Sequence, residues 1–230
     1  TPNPKPQTPN PKPQTPVLHM GNFCAKKDRR TDDTEDLVTA RVRPQDSRYL
    51  VVALGNPGKK YTLTRHNVGH LFLEYLLIAQ FNEQPWTKST SYGKVFETKE
   101  AIYIKAHSYM NVSANIMKSV LKDYNISDVQ NRLVLICDDL DTKMPGVKIK
   151  GDGSARGHNG VKSFINYFKG DTNFKRVLIG VDRPKSKDPD EVGEWVLSDF
   201  TPEQLKVLNY QSFPETAKQL NLIIGQKPQE

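Results

Sequence analysis

Cysteine is scarce in this chain. Cys24 and Cys137 are the only two in 230 residues, far apart and outside any C-x-x-C pair. That excludes a disulfide framework and a thiolate metal cluster, and reduced thiols in an intracellular protein are the plain reading. No apolar run approaches the ~18 residues of a membrane span. The spacing H-E-x-x-H and its relatives are missing, so no metal or other cofactor is expected. A P-loop is missing too: "GNPGKK" has Gly-Lys, but neither the following hydroxyl nor a first glycine at the right distance. "GDGSARG" brings its third glycine one residue late for a dinucleotide fingerprint, and Pro57 removes a backbone N–H where a phosphate cradle needs one. No G-x-S-x-G elbow surrounds Ser108 or Ser113. Charge is plentiful, with 33 basic and 26 acidic residues and a net +7. This permits a polyanionic partner without requiring one.

The chain divides into three parts. Residues 1–19 hold TPNPKPQ written twice, a Pro-rich repeat that cannot bury a core and reads as an appended segment before a natural start at Met20. Residues 20–47 read as a disordered charged leader. Its "MGNFCAKKDRR" resembles a dual acylation signal on Gly21 and Cys24 with basic support, although Ala25 stands where that pattern takes Ser or Thr. The acidic "DDTED" argues against a mitochondrial transit peptide, leaving a cytoplasmic protein as the expectation.

Residues 48–230 form the folded domain. "RYLVVAL" and "RVLIGV" read as buried strands and "LVLIC" as a central strand covered on both faces. "YGKVFET" and "AIYIKAH" read as a hairpin. Val68, Leu71, Phe72, Tyr75, Leu76 and Ala79 mark one helix face, with Asn67 helping to cap its start. Asn111 to Tyr124 reads as a helix with Val112, Ile116, Val120 and Leu121 on one side. His158 to Phe168 is another, and Thr201 with Pro202 opens a last helix to about Ile224. The alternation predicts a single-domain α/β fold: a three-layer αβα sandwich around a mixed, mostly parallel central sheet. Its site should lie in the loops beyond the strand ends.

Those loops collect Asn56 and His66 after the first strand, Asn111 after the hairpin, Asp138 and Asp139 after "LVLIC", and His158 with Asn159 before a helix. Singly, Asn56 suits a turn, Asn111 a helix cap and His66 a surface or cap position. Asp138 at the end of an apolar strand is harder to dismiss, because a partly desolvated carboxylate needs a partner and an imidazole N–H would serve. His66 and Asp138 together make a base and its orienter. Cys137 reads as a small core residue, so water is the simplest nucleophile. Lys148 and Lys150 share one face of "VKIK", with Arg156 close by in sequence. This is either a solvated strand face or a basic stripe for a phosphodiester backbone.

In order and spacing, "LGNPGKKYTLTRHNVG", "MNVSA", "CDDLD" and "RGHNG" resemble the signature segments of the bacterial-type peptidyl-tRNA hydrolases, over roughly residues 50–224. The "SARGHNG" form looks more like eukaryotic members. The resemblance implies a metal-free esterase that cleaves peptide from the terminal ribose of tRNA and acts as a monomer with peptidyl-tRNA as its nucleic-acid partner. It implies His66 as catalytic base and Asp138 as its partner, with substrate bound by Asn56, Tyr61, Asn111, Asn159 and His158. Lys148, Lys150 and Arg156 would face the tRNA backbone. The chain departs from the pattern at Cys137 and Asp139, where the family often has His and Glu. It departs again at Leu178, where an arginine is common and Arg176 or Arg183 would have to compensate. The alternatives are a non-catalytic RNA-binding protein on the same fold, of the splicing-factor kind, and a hydrolase of other small esters.

Overall fold

The computed structural model describes residues 45–81 and 86–226. The expectations for the repeat, for most of the leader and for acylation at Gly21 and Cys24 lie outside the described residues. The apolar runs become β1 (Tyr49–Ala53), β5 (Leu133–Asp139) and β7 (Lys175–Gly180). Every residue of β5 is buried, as befits a strand covered on both faces. The hairpin forms from β3 (Gly93–Glu97) and β4 (Ala101–Ala106). With β2 (Lys88–Thr90) and β6 (Val147–Lys150) the sheet has seven strands in the order β2-β3-β4-β1-β5-β7-β6. The centre, β4-β1-β5-β7, is parallel, and antiparallel strands close both edges. This is the expected mixed α/β sheet.

Alternation along the strands builds a core on each face. Leu50, Val52, Leu135 and Cys137 pack against α2 (Met117–Asp123) and α4 (Asn159–Tyr167) through Met117, Val120 and Phe164. Val51, Ala53, Val134 and Ile136 pack against α1 (Val68–Phe81) and α7 (Phe213–Ile224) through Phe72, Leu76 and Leu220. Short helices α3 (Val129–Arg132), α5 (Pro189–Leu197) and α6 (Pro202–Val207) complete the connections. Thr201 caps α6 in a capping box with Gln204. Arg48 carries Asp46 and Glu97 in one ion-pair cluster, so the folded body already includes Asp46.

Several local expectations are corrected. Asn67 does not cap α1. It ends a short 3-10 helix, Arg65–Asn67, and its side chain turns back to Asn56. The helix expected from Asn111 instead begins as a 3-10 segment, Met110–Ile116, broken by a non-helical Val112 that is exposed. Asn111 therefore caps nothing. Ala79 also faces solvent. The last helix is interrupted by a π-helical stretch, Leu208–Ser212. Pro214, in the first turn of α7, has no N–H to give the carbonyl one turn back, so the preceding turn widens.

Two glycines bring helices close to the strand ends. A Cβ on Gly69 would meet the Ile136 carbonyl oxygen at 2.6 Å, and one on Gly160 would meet Met110 Sδ at 2.6 Å. The start of α1 is thus drawn against the end of β5, and the start of α4, on the opposite face, against Met110 and against Leu54 just beyond β1.

Candidate active site

Asp138 lies near the carboxyl end of β5, 4% exposed. Its Oδ1 accepts a hydrogen bond from His66 Nδ1 at 2.8 Å and one from His158 Nε2 at 3.0 Å. The tautomers follow from the surroundings. His158 is the N-cap of α4, and its Nδ1 accepts from the backbone N–H of Gly160 at 3.1 Å and of Val161 at 3.3 Å. The proton therefore sits on Nε2, which donates to Asp138. His66, donating from Nδ1, keeps an unprotonated Nε2 with no protein partner among the described residues.

Charge and burial compete here. Burial alone would push the Asp138 carboxyl up, but His66 and His158 hold it well below the usual carboxylate range. Burial depresses His66, and the adjacent Asp138 charge and hydrogen bond outweigh it, so the imidazole titrates above its ordinary 6.5. The three side chains also form a compact group of metal-ligand type. The tautomer argues against a cation: His158 Nε2 carries a proton, and moving it to Nδ1 would break the cap of α4. Cys137, beside Asp138, is buried with its thiol pushed up by burial, and is inert as a nucleophile.

The pair opens on a cavity of about 420 Å³ whose lining includes Asn159, Lys150, Arg156 and Arg183. Arg156, in a left-handed backbone conformation at φ 49°, pairs with Asp141. Arg183 reaches the same Asp141 at 2.8 Å from the loop after β7. Lys148 is exposed on the same edge-strand face as Lys150. Leu178 is buried in the core opposite Lys148. Arg176 does not stand in for the missing arginine: it is 2% exposed and its guanidinium is held by the carbonyls of Gly153, Ser154 and Thr172. Both arginines line the cavity, but Arg183 is not tied up by backbone carbonyls as Arg176 is, and its side chain reaches Asp141 instead.

Asn56 lies at the rim of a second cavity, of about 580 Å³, behind the turn. Its Oδ1 accepts the Met110 N–H at 2.9 Å, which orients the amide so that the Nδ2 donors are left for another ligand. Its backbone is clamped by Asn67, whose Oδ1 accepts the Asn56 N–H at 2.8 Å and whose Nδ2 donates to the Asn56 carbonyl at 2.9 Å. Asn111 is exposed beside Met110, and Asn159 is exposed at the first turn of α4. Tyr61 lines neither cavity; it sits half-buried under Lys60, whose Nζ is 4.8 Å from its ring.

The roles of two residues escaped the sequence reading. One is Asn67. The other is Arg65, 4% exposed, which stacks 3.9 Å from the Trp195 ring. Its guanidinium donates to Ser198, the Asp199 carbonyl and Gln204. Together they fasten the backbone on either side of His66. The only local signal was an arginine and an asparagine flanking a candidate base.

A family model described as Peptidyl-tRNA hydrolase matches residues 50–230. Among curated proteins, the peptidyl-tRNA hydrolase of Aquifex aeolicus is 40% identical over 162 residues, covering 70% of this chain and 82% of the relative. That of a Sulfurihydrogenibium species is 38% identical over 161 residues, with 69% and 82% covered. A crystal structure of peptidyl-tRNA hydrolase from Acinetobacter baumannii superposes with a TM-score of 0.62 at 24% identity, covering 79% of this chain and 95% of that one. That last likeness is one of fold.

Proposed function

The chain belongs to the peptidyl-tRNA hydrolase family and hydrolyses the ester joining a peptide to tRNA, and we propose that it does so with water as nucleophile, His66 as base and Asp138 as its orienting partner. One observation carries the assignment: the 2.8 Å bond from His66 Nδ1 to a buried carboxylate that leaves Nε2 as a free lone pair on the cavity. His66 Nε2 takes a proton from water as the oxygen attacks the ester carbonyl. The tetrahedral intermediate then expels the ribose oxygen, which takes that proton back. Asp138 stabilises the imidazolium between the two steps.

Charge building on the carbonyl oxygen needs donors. Asn56 Nδ2, set by its bond to Met110, and the side chain of Asn159 supply them. Asn111 contacts the peptide side of the ester. Lys148, Lys150 and Arg156, joined by Arg183, take the phosphates of the 3′ end, an attraction that salt weakens. His158, with both nitrogens engaged, serves the carboxylate instead of the substrate.

The "SARGHNG" segment supports a eukaryotic branch of the family. The cytoplasmic assignment rests on the sequence, on its isolated cysteines and acidic leader; the monomer rests on the resemblance alone. No helix among the described residues is long and apolar enough to cross a membrane.

His66→Asn tests the mechanism. Release of a blocked amino acid from tRNA should fall by about three orders of magnitude or more, while tRNA affinity changes little. A His66→Asn protein with near-normal turnover would remove His66 from the mechanism.

A further inference from the structure

We infer that His158 is a positioning residue for Asp138: the first turn of α4 locks its imidazole in one tautomer, and that imidazole holds the carboxylate oxygen on which His66 depends. The inference rests on His66 being the base. Three observations combine. His158 Nδ1 is occupied by two backbone N–H groups, its Nε2–H is 3.0 Å from Asp138 Oδ1, and His66 uses that same oxygen. The His66 and His158 rings stand 4.8 Å apart, centre to centre. A histidine so placed has no lone pair left for a proton and no N–H left for a substrate. What it does is hold the Asp138 oxygen on which His66 also depends.

This arrangement has an electrostatic consequence. Two N–H donors share one carboxylate oxygen, so part of the Asp138 charge is spent on His158. Removing that donor concentrates the charge on His66 and favours its imidazolium. The other charged or titratable groups about the pair are Cys137, Asp139 and Asp141 on and after β5, with Arg156 and Arg183 at the cavity mouth. Lys150, Arg176 and Lys187 line the cavity farther along. A change confined to His158 leaves all of them in place.

His158 does two jobs, and two substitutions separate them. Asn at 158 keeps an acceptor where Nδ1 stands, so α4 stays capped, but it is too short to reach Asp138. Gln extends a donor toward Asp138 but forfeits the cap. His158→Asn should melt close to wild type, yet lose about ten- to a hundred-fold in kcat with little change in KM. Its acid limb in the kcat/KM–pH profile should move to higher pH. His158→Gln should melt lower, yet recover most of the lost kcat and return the acid limb toward wild type. The inference is overturned if Asn at 158 turns over like wild type, which would make the histidine only a cap. It is equally overturned if both variants are dead while folded, which would make His158 a proton carrier. Activity remaining in His66→Asn would instead discard the assignment of the base, a result the His158 variants cannot mimic.

Discussion

Replacing Asp138 by Asn removes a charge while leaving the geometry in place, because both imidazole N–H groups donate to one oxygen, at 2.8 and 3.0 Å, and an amide oxygen accepts both. The loss falls where His66 carries the proton. At 2.8 Å, and with an effective dielectric of about 20, a full ion pair is worth about 6 kcal/mol, which sets a ceiling. The amide dipole retains part of it, so the transition state should lose about 3–5 kcal/mol, or roughly 10²–10⁴ in kcat. Single-turnover release of N-blocked aminoacyl-tRNA, with tRNA binding measured separately, reads this directly. The pH profile supplies a second sign. Burial depresses His66 and Asp138 more than restores it, so without the charge the acid limb must move to lower pH, opposite to His158→Asn. Stability follows linkage. His66, raised in the folded state, contributes below 6.5 and loses that contribution as pH rises through its folded value. Asp138, depressed, contributes above 3.8 and loses it as pH falls through its folded value. The gap in melting temperature between wild type and Asp138→Asn should therefore be widest between pH 3.8 and 6.5. A kcat within about threefold of wild type would refute the electrostatic account, and so would an unmoved acid limb.

Asn67→Ala leaves the Asn56 N–H and carbonyl unpaired in a buried turn, and should cost about 2–4 kcal/mol in urea denaturation along with a fall in kcat/KM; an unchanged midpoint would show that the clamp holds nothing. Arg65→Lys keeps the charge but loses the planar fork that serves Ser198, Asp199 and Gln204 over Trp195. It should destabilise by about 1–3 kcal/mol and slow turnover without changing its pH profile, a combination that calorimetry and the ester assay check together.

Most of the sheet was legible because its strands are buried on both faces: "LVLIC" and "RVLIGV" can be little else. β2 was not, since its three residues are half-buried at best and gain their place only by pairing with β3. The segment after β4 carries a helical pattern. Met110 is tied to Asn56, however, and Val112 is turned out of helical geometry, so tertiary contact overrides periodicity. At the site, His66 and Asp138 lie 72 positions apart. Residue chemistry made each a candidate, and the order of motifs suggested the pairing. Asn67 looked like a cap because a cap needs only its own helix, whereas its true partner is eleven residues back. Arg65 was invisible for a similar reason, its acceptors lying more than 130 residues ahead.

The Asn56–Asn67 clamp also fixes what can vary. Asn56 and Asn67 are fastened to each other at 2.8 and 2.9 Å, so residues 57–66 form a closed excursion anchored at its base. Its outer end, Gly58 to Lys60, is exposed. Lengthening the chain at that tip adds only closure entropy, ~0.6 kcal/mol for a doubling of the loop, and leaves the base of the excursion where it is. Natural or engineered insertions beside Lys59 would thus lengthen the surface arm while His66 keeps its address, a division between an adjustable tip and a fixed root built from a single asparagine side chain.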